Sequence, residues 1–280
     1  MDLSSRGRVI AKLRKSAGFT QASLAEKLGI SDKAISKWER GLAFPDTSIL
    51  NQLCILLDTD IESLMYGHEQ SKNWVGVLIL DNSIAPDTII FNKPLIYYLI
   101  SQFLLVGIAE IYIVGKCKAF NLDGINIKIV KELNQKFTQN AFVIYGNHFL
   151  YGPNLTKHFM RAMSRNAITV IAAMKAKGEY PLSVDSNRSA VLSETFSKNK
   201  YYALPFVFYS HDKSIRPFLE VMKNLVNVET MVRGMIHFNL NDYESIYQMA
   251  GFIKMMEERT GEPIADLNDI IERRKITVNQ

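Results

Sequence analysis

Along the first 67 residues, apolar positions recur at three- and four-residue spacing. Val9, Ile10, Leu13 and Ala17 form one stripe, and Leu24, Ala25 and Leu28 a second. Ile35 with Trp38, then Ile49, Leu50, Leu53 and Leu57, then Ile61, Leu64 and Met65 complete the set. This period places each group on one side of a short helix. Breakers and caps fall between the stripes: Gly18 then Thr20, Gly29 then Ser31, Gly41 with Pro45, and Asp46 and Asp60 ahead of the last two. Five helices are therefore predicted, and the short Gly29-Ile30-Ser31 link lets the second and third fold across each other. From Trp74 the period changes. VGVLIL, IAEIYIVG, INIKIV, AFVIYG and AITVIAAM read as strands, interleaved with the helical stretches PLIYYLISQFLLVG and NLTKHFMRAMSR. Apolar strands alternating with helices predict an α/β domain with a mainly parallel sheet, where ligands bind at the carboxyl ends of strands, here near Asp81 and near Gly146 to His148.

Composition narrows the class. A chain of 280 residues exceeds one small module, and 48% hydrophobic with 22% charged residues excludes a disordered or low-complexity protein. The uncharged run from Pro94 to Ala109 imitates a membrane span, yet it is shorter than the roughly 20 residues a span requires and is broken at Gly107 and Glu110. A buried helix followed by a buried strand is expected there, and no membrane. Cys54 and Cys117 form no CxxC, which excludes a disulfide framework or a cysteine zinc site and fits a reducing compartment. The N-terminal stretch lacks the apolar core of a signal peptide, so the expected location is cytoplasmic. Charge is unevenly placed: residues 1–40 carry nine Lys/Arg against four acids, and residues 41–67 four acids and no base. A small domain polarised in this way presents a basic face to a polyanion such as DNA.

With Ile35 and Trp38 turned inward, Asp32, Lys33, Ser36, Lys37 and Arg40 project outward. TQASLAEKLGISDKAISKWERG, from Thr20 to Gly41, resembles the Cro/C1-type (XRE) helix-turn-helix family, and the similarity extends from about Arg6 to Gly67. The resemblance implies that Gln21 touches phosphate, that Asp32, Lys33 and Lys37 face base edges, and that Ser36 and Arg40 flank them. A lysine donates to guanine O6 or N7 and an aspartate accepts from cytosine N4, whereas phosphate contacts position without reading sequence. Arg14 and Glu39 match a pair that bridges the first and third helices. One such head makes few contacts, and specific binding usually takes two heads about 34 Å apart. A double-stranded operator and a homodimer or higher homo-oligomer are therefore the expected partners.

The remainder, from about Trp74 to Arg274, resembles the sugar-1-phosphate nucleotidyltransferases. The similarity is carried by KPLIYYLISQFLLVGIAEIYIVG at Lys93 to Gly115, YGNHFLYG at Tyr145 to Gly152, and MVRGMIHFNLNDYESIYQMAGFIKMMEERTG at Met231 to Gly261. It implies a Rossmann-like nucleotidyltransferase-type domain. Nucleotidyl transfer needs Mg²⁺ on carboxylates, a glycine-rich phosphate cradle and cations against the developing charge. Asp81 to Asn92, DNSIAPDTIIFN, has no Gly, Arg or Lys. Asn147 and Asn239 stand at the family's two metal aspartates, and Thr195 stands at its lysine. A base-contacting stretch between Val130 and Ala141 and a sugar-contacting stretch between Asn224 and Val232 are missing. No catalytic residue, metal or cofactor is expected, and the domain reads as a pseudoenzyme. Asp81, Asn147, His148 and Asn239 would line a remnant pocket for a nucleotide sugar or sugar phosphate. The alternative is an active transferase with an accessory helix-turn-helix domain, Asp81, Asp87 or Asp242 replacing the lost carboxylates. Cys117 reads as a buried strand-end cysteine rather than a nucleophile, with no basic or histidine partner in a recognisable motif, and Phe252, Ile253, Met255 and Met256 as helix core or subunit contact. The expected division is a DNA-binding domain at 1–67, a linker at 68–73 and the nucleotidyltransferase-like domain at 74–280.

Overall fold

A computed structural model describes residues 3–274, except 58, 60, 62–63, 65–72, 134–136, 166, 175–179, 194–200 and 211–213. The expected linker, apart from Asn73, lies outside the described residues, as do Thr195, Asp60 and Met65. The chain divides into two compact units, residues 1–70 and 71–280.

Helices α1 (Leu3–Ser16), α2 (Gln21–Leu28), α3 (Asp32–Glu39) and α4 (Thr47–Leu56) make up the first unit among its described residues. Thr20 Oγ1 accepts the Ser23 N–H and Ser23 Oγ accepts the Thr20 N–H, a reciprocal cap that closes two orphan donors. Gly29 ends α2 at φ 68, a left-handed value that side chains resist. Ser31 then caps α3 by accepting from Ala34, and Asp46 caps α4 by accepting from Ser48. Ile10, Leu24, Ile35 and Leu53 lie at the centre of the core, which Leu64 of the expected fifth helix joins. Ala17, expected on the first apolar stripe, is exposed because α1 stops one residue earlier.

Two features lock α1 to α3. A β-carbon on Gly7 would stand 2.3 Å from the Trp38 carbonyl oxygen and 2.5 Å from that of Glu39, so the approach requires glycine. The second is a carboxylate shared by three helices. Arg14 Nε and Nη2 donate to Glu39 at 2.6 and 3.2 Å, Arg14 Nη1 donates to the Phe19 carbonyl at 2.6 Å, and Gln21 Nε2 donates to Glu39 at 2.6 Å. Burial raises the Glu39 pKa, but the bonds from Arg14 and Gln21 outweigh it and hold the carboxyl below its ordinary 4.5.

The second unit runs β1 (Trp74–Ile79), β2 (Ile89–Ile90), β3 (Lys93–Pro94), α5 (Leu95–Leu104), β4 (Glu110–Val114), β5 (Asn126–Val130), β6 (Asn140–Tyr145), β7 (His148–Tyr151), α6 (Leu155–Ser164) and β8 (Ile168–Met174). It continues with β9 (Pro181–Val184), β10 (Ser189–Leu192), β11 (Tyr201–Tyr209), α7 (Phe218–Met222), β12 (Val226–Thr230), β13 (Ile236–Asn239), α8 (Tyr243–Thr260) and α9 (Leu267–Arg274). Nine strands form one sheet in the order β5-β4-β1-β6-β11-β8-β12-β10-β9. The first four are parallel, and β12 is parallel to β8. By contrast β11 is antiparallel to β6 and β8, and β10 to β12 and β9. β9 also pairs with the start of β11, Leu182 opposite Tyr201, which closes β11, β8, β12, β10 and β9 into a five-stranded barrel.

The mainly parallel sheet expected from the sequence is thus corrected to a mixed one. The parallel run ends where β11 seats antiparallel between β6 and β8, through pairings distant in sequence; β9 and β10 reverse as well, since residues 185–188 are too few for a parallel crossover. The ladder between β11 and β8 slips between Leu204 and Val207, around Pro205, which has no N–H to contribute.

Every residue of α5 except Tyr97 is buried, and β4 follows, so the membrane-like run is a core helix and strand. No helix among the described residues is long and apolar enough to cross a membrane. Phe142 of β6 stacks on Phe208 at 4.2 Å and meets Phe103 and Phe159 edge-on at 5.0 and 5.1 Å. On α8, Ile253 is buried and Phe252 packs on Tyr151 and Phe238, whereas Met255 is exposed.

Gly7→Ala is expected to destabilise the first unit by about 1–3 kcal/mol, because backbone carbonyls rather than a flexible side chain must yield. Faster amide hydrogen exchange in α1 and α3 would register the loss; unchanged exchange would mean the contact is not close. Glu39, with its lowered folded pKa, contributes stability that is complete above about pH 4.5 and is lost as the pH falls through that lowered value. Urea unfolding from about pH 7 to about pH 3 should show this acid loss in the wild type and a shallower one in Glu39→Gln.

Candidate functional site

On α3, Ile35 and Trp38 are buried, which turns Asp32, Lys33, Lys37 and Arg40 to solvent and leaves Ser36 half-buried. Asp32 sits in the first turn, where a carboxylate is favoured by the helix dipole, and its Oδ1 accepts the Lys33 N–H at 2.7 Å. Arg40 Nε reaches the Ser36 carbonyl at 3.4 Å, so these two share the C-terminal turn. Gln21 opens α2, half-buried, with one amide N–H committed to Glu39. The Arg14–Glu39 bridge joins α1 to α3 as the resemblance implies, with both side chains 9% exposed. The outer surface of α3 thus offers two lysines and an arginine beside one carboxylate, a donor-rich strip suited to base edges and phosphates.

In the second unit, the four residues expected at a remnant pocket come together. Asp81 and Asn147 follow β1 and β6, which are parallel neighbours, and His148 stands opposite Asn239 across the β7–β13 pair. Asn147 Nδ2 donates to Asp81 Oδ1 at 3.1 Å and to Ser83 Oγ at 3.2 Å. Asp81 Oδ1 also accepts the Ser83 N–H at 2.9 Å and its hydroxyl at 2.6 Å. His148 Nδ1 lies 3.0 Å from His237 Nε2, with the rings stacked at 5.1 Å. The Oδ1 atoms of Asn147 and Asn239 are buried without a hydrogen-bond partner among the described residues.

These donors do not fit the divalent ion that nucleotidyltransferases use. One carboxylate and two neutral amide oxygens replace a charged set, and a hard, reluctantly dehydrated cation needs the charge. Among the described residues no group of three His, Cys, Asp or Glu is placed to hold a metal. Of the substitute aspartates, Asp81 stays in the cluster as its one carboxylate, but Asp87 pairs with Lys118 at 2.5 Å and Asp242 caps α8 by accepting the Ser245 N–H at 2.7 Å. Chemically, the cluster offers one carboxylate and two amide oxygens, acceptors suited to hydroxyl or amide donors.

Sequence reasoning missed a cavity of about 920 Å³ at the carboxyl ends of β1, β4 and β5. Tyr97 and Phe120, with ring centres 6.2 Å apart, form part of its wall; Lys116 and Lys131 bring positive charge, while Lys118 is paired with Asp87 of the same lining. The available signal was the Lys-Cys-Lys run directly after a strand. Burial pushes the thiol of Cys117 up, with nearby Asp87 adding to the effect, so it stays protonated near neutrality. Cys117 is half-buried and lies past the end of β4, which corrects the expected buried strand-end position, while the raised thiol still disfavours a nucleophile.

Residues 10–64 match the family described as Helix-turn-helix. The HTH-type transcriptional regulator ImmR of Bacillus subtilis (strain 168) is 37% identical over 68 residues, which are 24% of this chain and 54% of ImmR. The chain thus spans about half the length of that relative. Glucose-1-phosphate thymidylyltransferase of Mycolicibacterium smegmatis (strain ATCC 700084 / mc(2)155) is 21% identical over 61% of this chain and 75% of that protein. Among solved structures, the P22 c2 repressor in complex with synthetic operator 9T is 34% identical with a TM-score of 0.22, covering 22% of this chain and 94% of the repressor. The N-terminal unit is a helix-turn-helix domain of the Cro/C1 (XRE) type, and the rest of the chain carries a distant likeness to glucose-1-phosphate thymidylyltransferase.

Proposed function

We propose that this protein is a cytoplasmic, sequence-specific, DNA-binding transcription regulator. Residues 1–67 are its DNA-binding domain. Joined to them through 68–73 is a Rossmann-like nucleotidyltransferase-type domain, 74–280, that dimerises the chain and senses a nucleotide sugar or sugar phosphate. The observation that carries the reading is the outer face of α3, where Lys33, Lys37 and Arg40 stand exposed beside Asp32 while Ile35 and Trp38 anchor the other side. Asp32, Lys33 and Lys37 then meet base edges in a major groove, Ser36 and Arg40 flank them, and the second amide hydrogen of Gln21 reaches phosphate. The helix-turn-helix match and the regulator ImmR support this reading.

For the second domain, the amide cluster supports loss of catalysis. Losing one charged phosphoryl stabiliser typically costs about 10³–10⁵ in rate, and this site departs at several positions. The lysine-rimmed cavity supports retained binding of an anionic ligand with an apolar or ring-shaped body. Such a ligand regulates DNA binding only if it favours one arrangement of the dimer over another.

Lys37→Ala is expected to weaken operator binding by about 5- to 150-fold, the loss of one base contact worth about 1–3 kcal/mol, while leaving the unfolding midpoint unchanged. Fluorescence anisotropy on operator and scrambled duplexes checks this, and equal affinity of variant and wild type removes Lys37 from the reading face. Incubation with Mg²⁺, each nucleoside triphosphate and glucose 1-phosphate is expected to release no pyrophosphate; release above the blank would establish the active-transferase alternative.

A further inference from the structure

Tyr97 is the one residue of α5 that is not buried, and it opens into the cavity at the carboxyl ends of β1, β4 and β5. Its ring and that of Phe120, 6.2 Å apart, form one aromatic wall. Ile84, Pro86, Ile96, Ile129 and Val130 continue the apolar surface. Burial keeps the thiol of Cys117 protonated, so that part of the lining carries no charge either. The volume of about 920 Å³ is that of a site for a small organic molecule.

Charge in the lining is confined to one edge. Lys118 is neutralised by Asp87, whereas Lys116 and Lys131 are exposed and have no acidic partner among the described residues. The Gly115 N–H donates to the Val130 carbonyl at 2.9 Å, which sets Lys116 and Lys131, each one residue further on, at the same end of two neighbouring strands. The cavity is distinct from the strand-end cluster. Along the segment after β1, Asp81 and Ser83 accept from Asn147, whereas Asn82 and Ile84 line the cavity, so alternate residues serve different sites.

We propose that this cavity binds an organic acid with an apolar body, its hydrocarbon or aromatic portion against Tyr97 and Phe120 and its carboxylate at Lys116 and Lys131. An apolar body gains by leaving water, and a carboxylate at the exposed rim keeps two cations within reach without full desolvation. A hydroxyl-rich body would strand its polar groups against apolar walls; the acceptors for hydroxyls stand in the strand-end cluster instead. A triphosphate would need a backbone cradle that Asp81 to Asn92, without a glycine, does not build. The proposal does not rest on the sensing role above, since binding of the acid is read whether or not operator affinity changes.

Equilibrium dialysis of the full chain at low ionic strength, against 3-phenylpropionate and against octanoate, tests it. Saturable binding of at least one acid is expected, weakened about 10-fold or more when Lys116→Ala and Lys131→Ala are combined, with the unfolding midpoint unchanged at these exposed positions. The matching alcohols, which keep the body and lose the charge, should bind the wild type and this variant equally. Ala119→Trp, which places a larger side chain in the lining, should abolish binding of the acid. Binding of 3-phenylpropionate alone identifies an aromatic acid and binding of octanoate alone an aliphatic one, and either supports the shared chemistry. No saturable binding of either acid, or equal affinity in the lysine variant, overturns the proposal. So does glucose 1-phosphate binding more tightly than both acids and weakening in the same variant, which would assign the cavity to a polar ligand.

Discussion

The Glu39 carboxylate fixes the geometry on which the first unit's function turns. It receives Arg14 from α1 and Gln21 from α2 while belonging to α3, so one group sets the mutual angle of three helices. Breaking a buried ion pair by removing one partner typically costs about 3–5 kcal/mol, most of it the stranded charge, which makes this a constraint rather than an ornament. The backbone approach at Gly7 fixes the remaining freedom, the spacing of α1 from the end of α3. Once α3 is held this way, Lys33 and Lys37 face solvent by helical periodicity alone. The phosphate contact proposed for Gln21 is compatible with this bond, because an amide nitrogen carries two hydrogens and Glu39 takes one.

An opposite logic governs the strand-end cluster. Several carboxylates in one pocket repel and normally need a cation to hold them together. An amide at position 147 replaces repulsion with donation, since Asn147 Nδ2 bonds Asp81 directly. The cluster therefore holds itself without a metal. The amide oxygens of Asn147 and Asn239, without a hydrogen-bond partner among the described residues, remain as acceptors.

Much of this was legible in the sequence where the controlling interactions are local. The caps at Thr20, Ser31 and Asp46 act within three residues, and the strand-helix alternation from Trp74 to Met174 reads from apolar periodicity. The mixed sheet was not legible, because the antiparallel seat of β11 between β6 and β8 depends on pairings dozens of residues apart. Asn147 and Asn239 were found through resemblance, as residues at positions where carboxylates are usual. The pairings of the buried Glu229 on β12 were not found: His158, 71 residues away in sequence, and Arg165, 64 away, meet that carboxylate only through the fold. The distinction is between signals carried by neighbours along the chain and those carried by neighbours across a sheet.

The size of α3 sets the demand on the rest of the protein. Eight residues rise about 12 Å along their axis, so a single head meets only a few base pairs and its affinity comes largely from phosphates, which read no sequence. Under the dimeric reading proposed above, specificity comes from pairing two heads at a fixed separation. The second unit is itself braced, a nine-stranded sheet partly closed into a barrel with Phe142 stacked on Phe208. Under that same proposal, a ligand regulates only by favouring one arrangement of the paired heads over another.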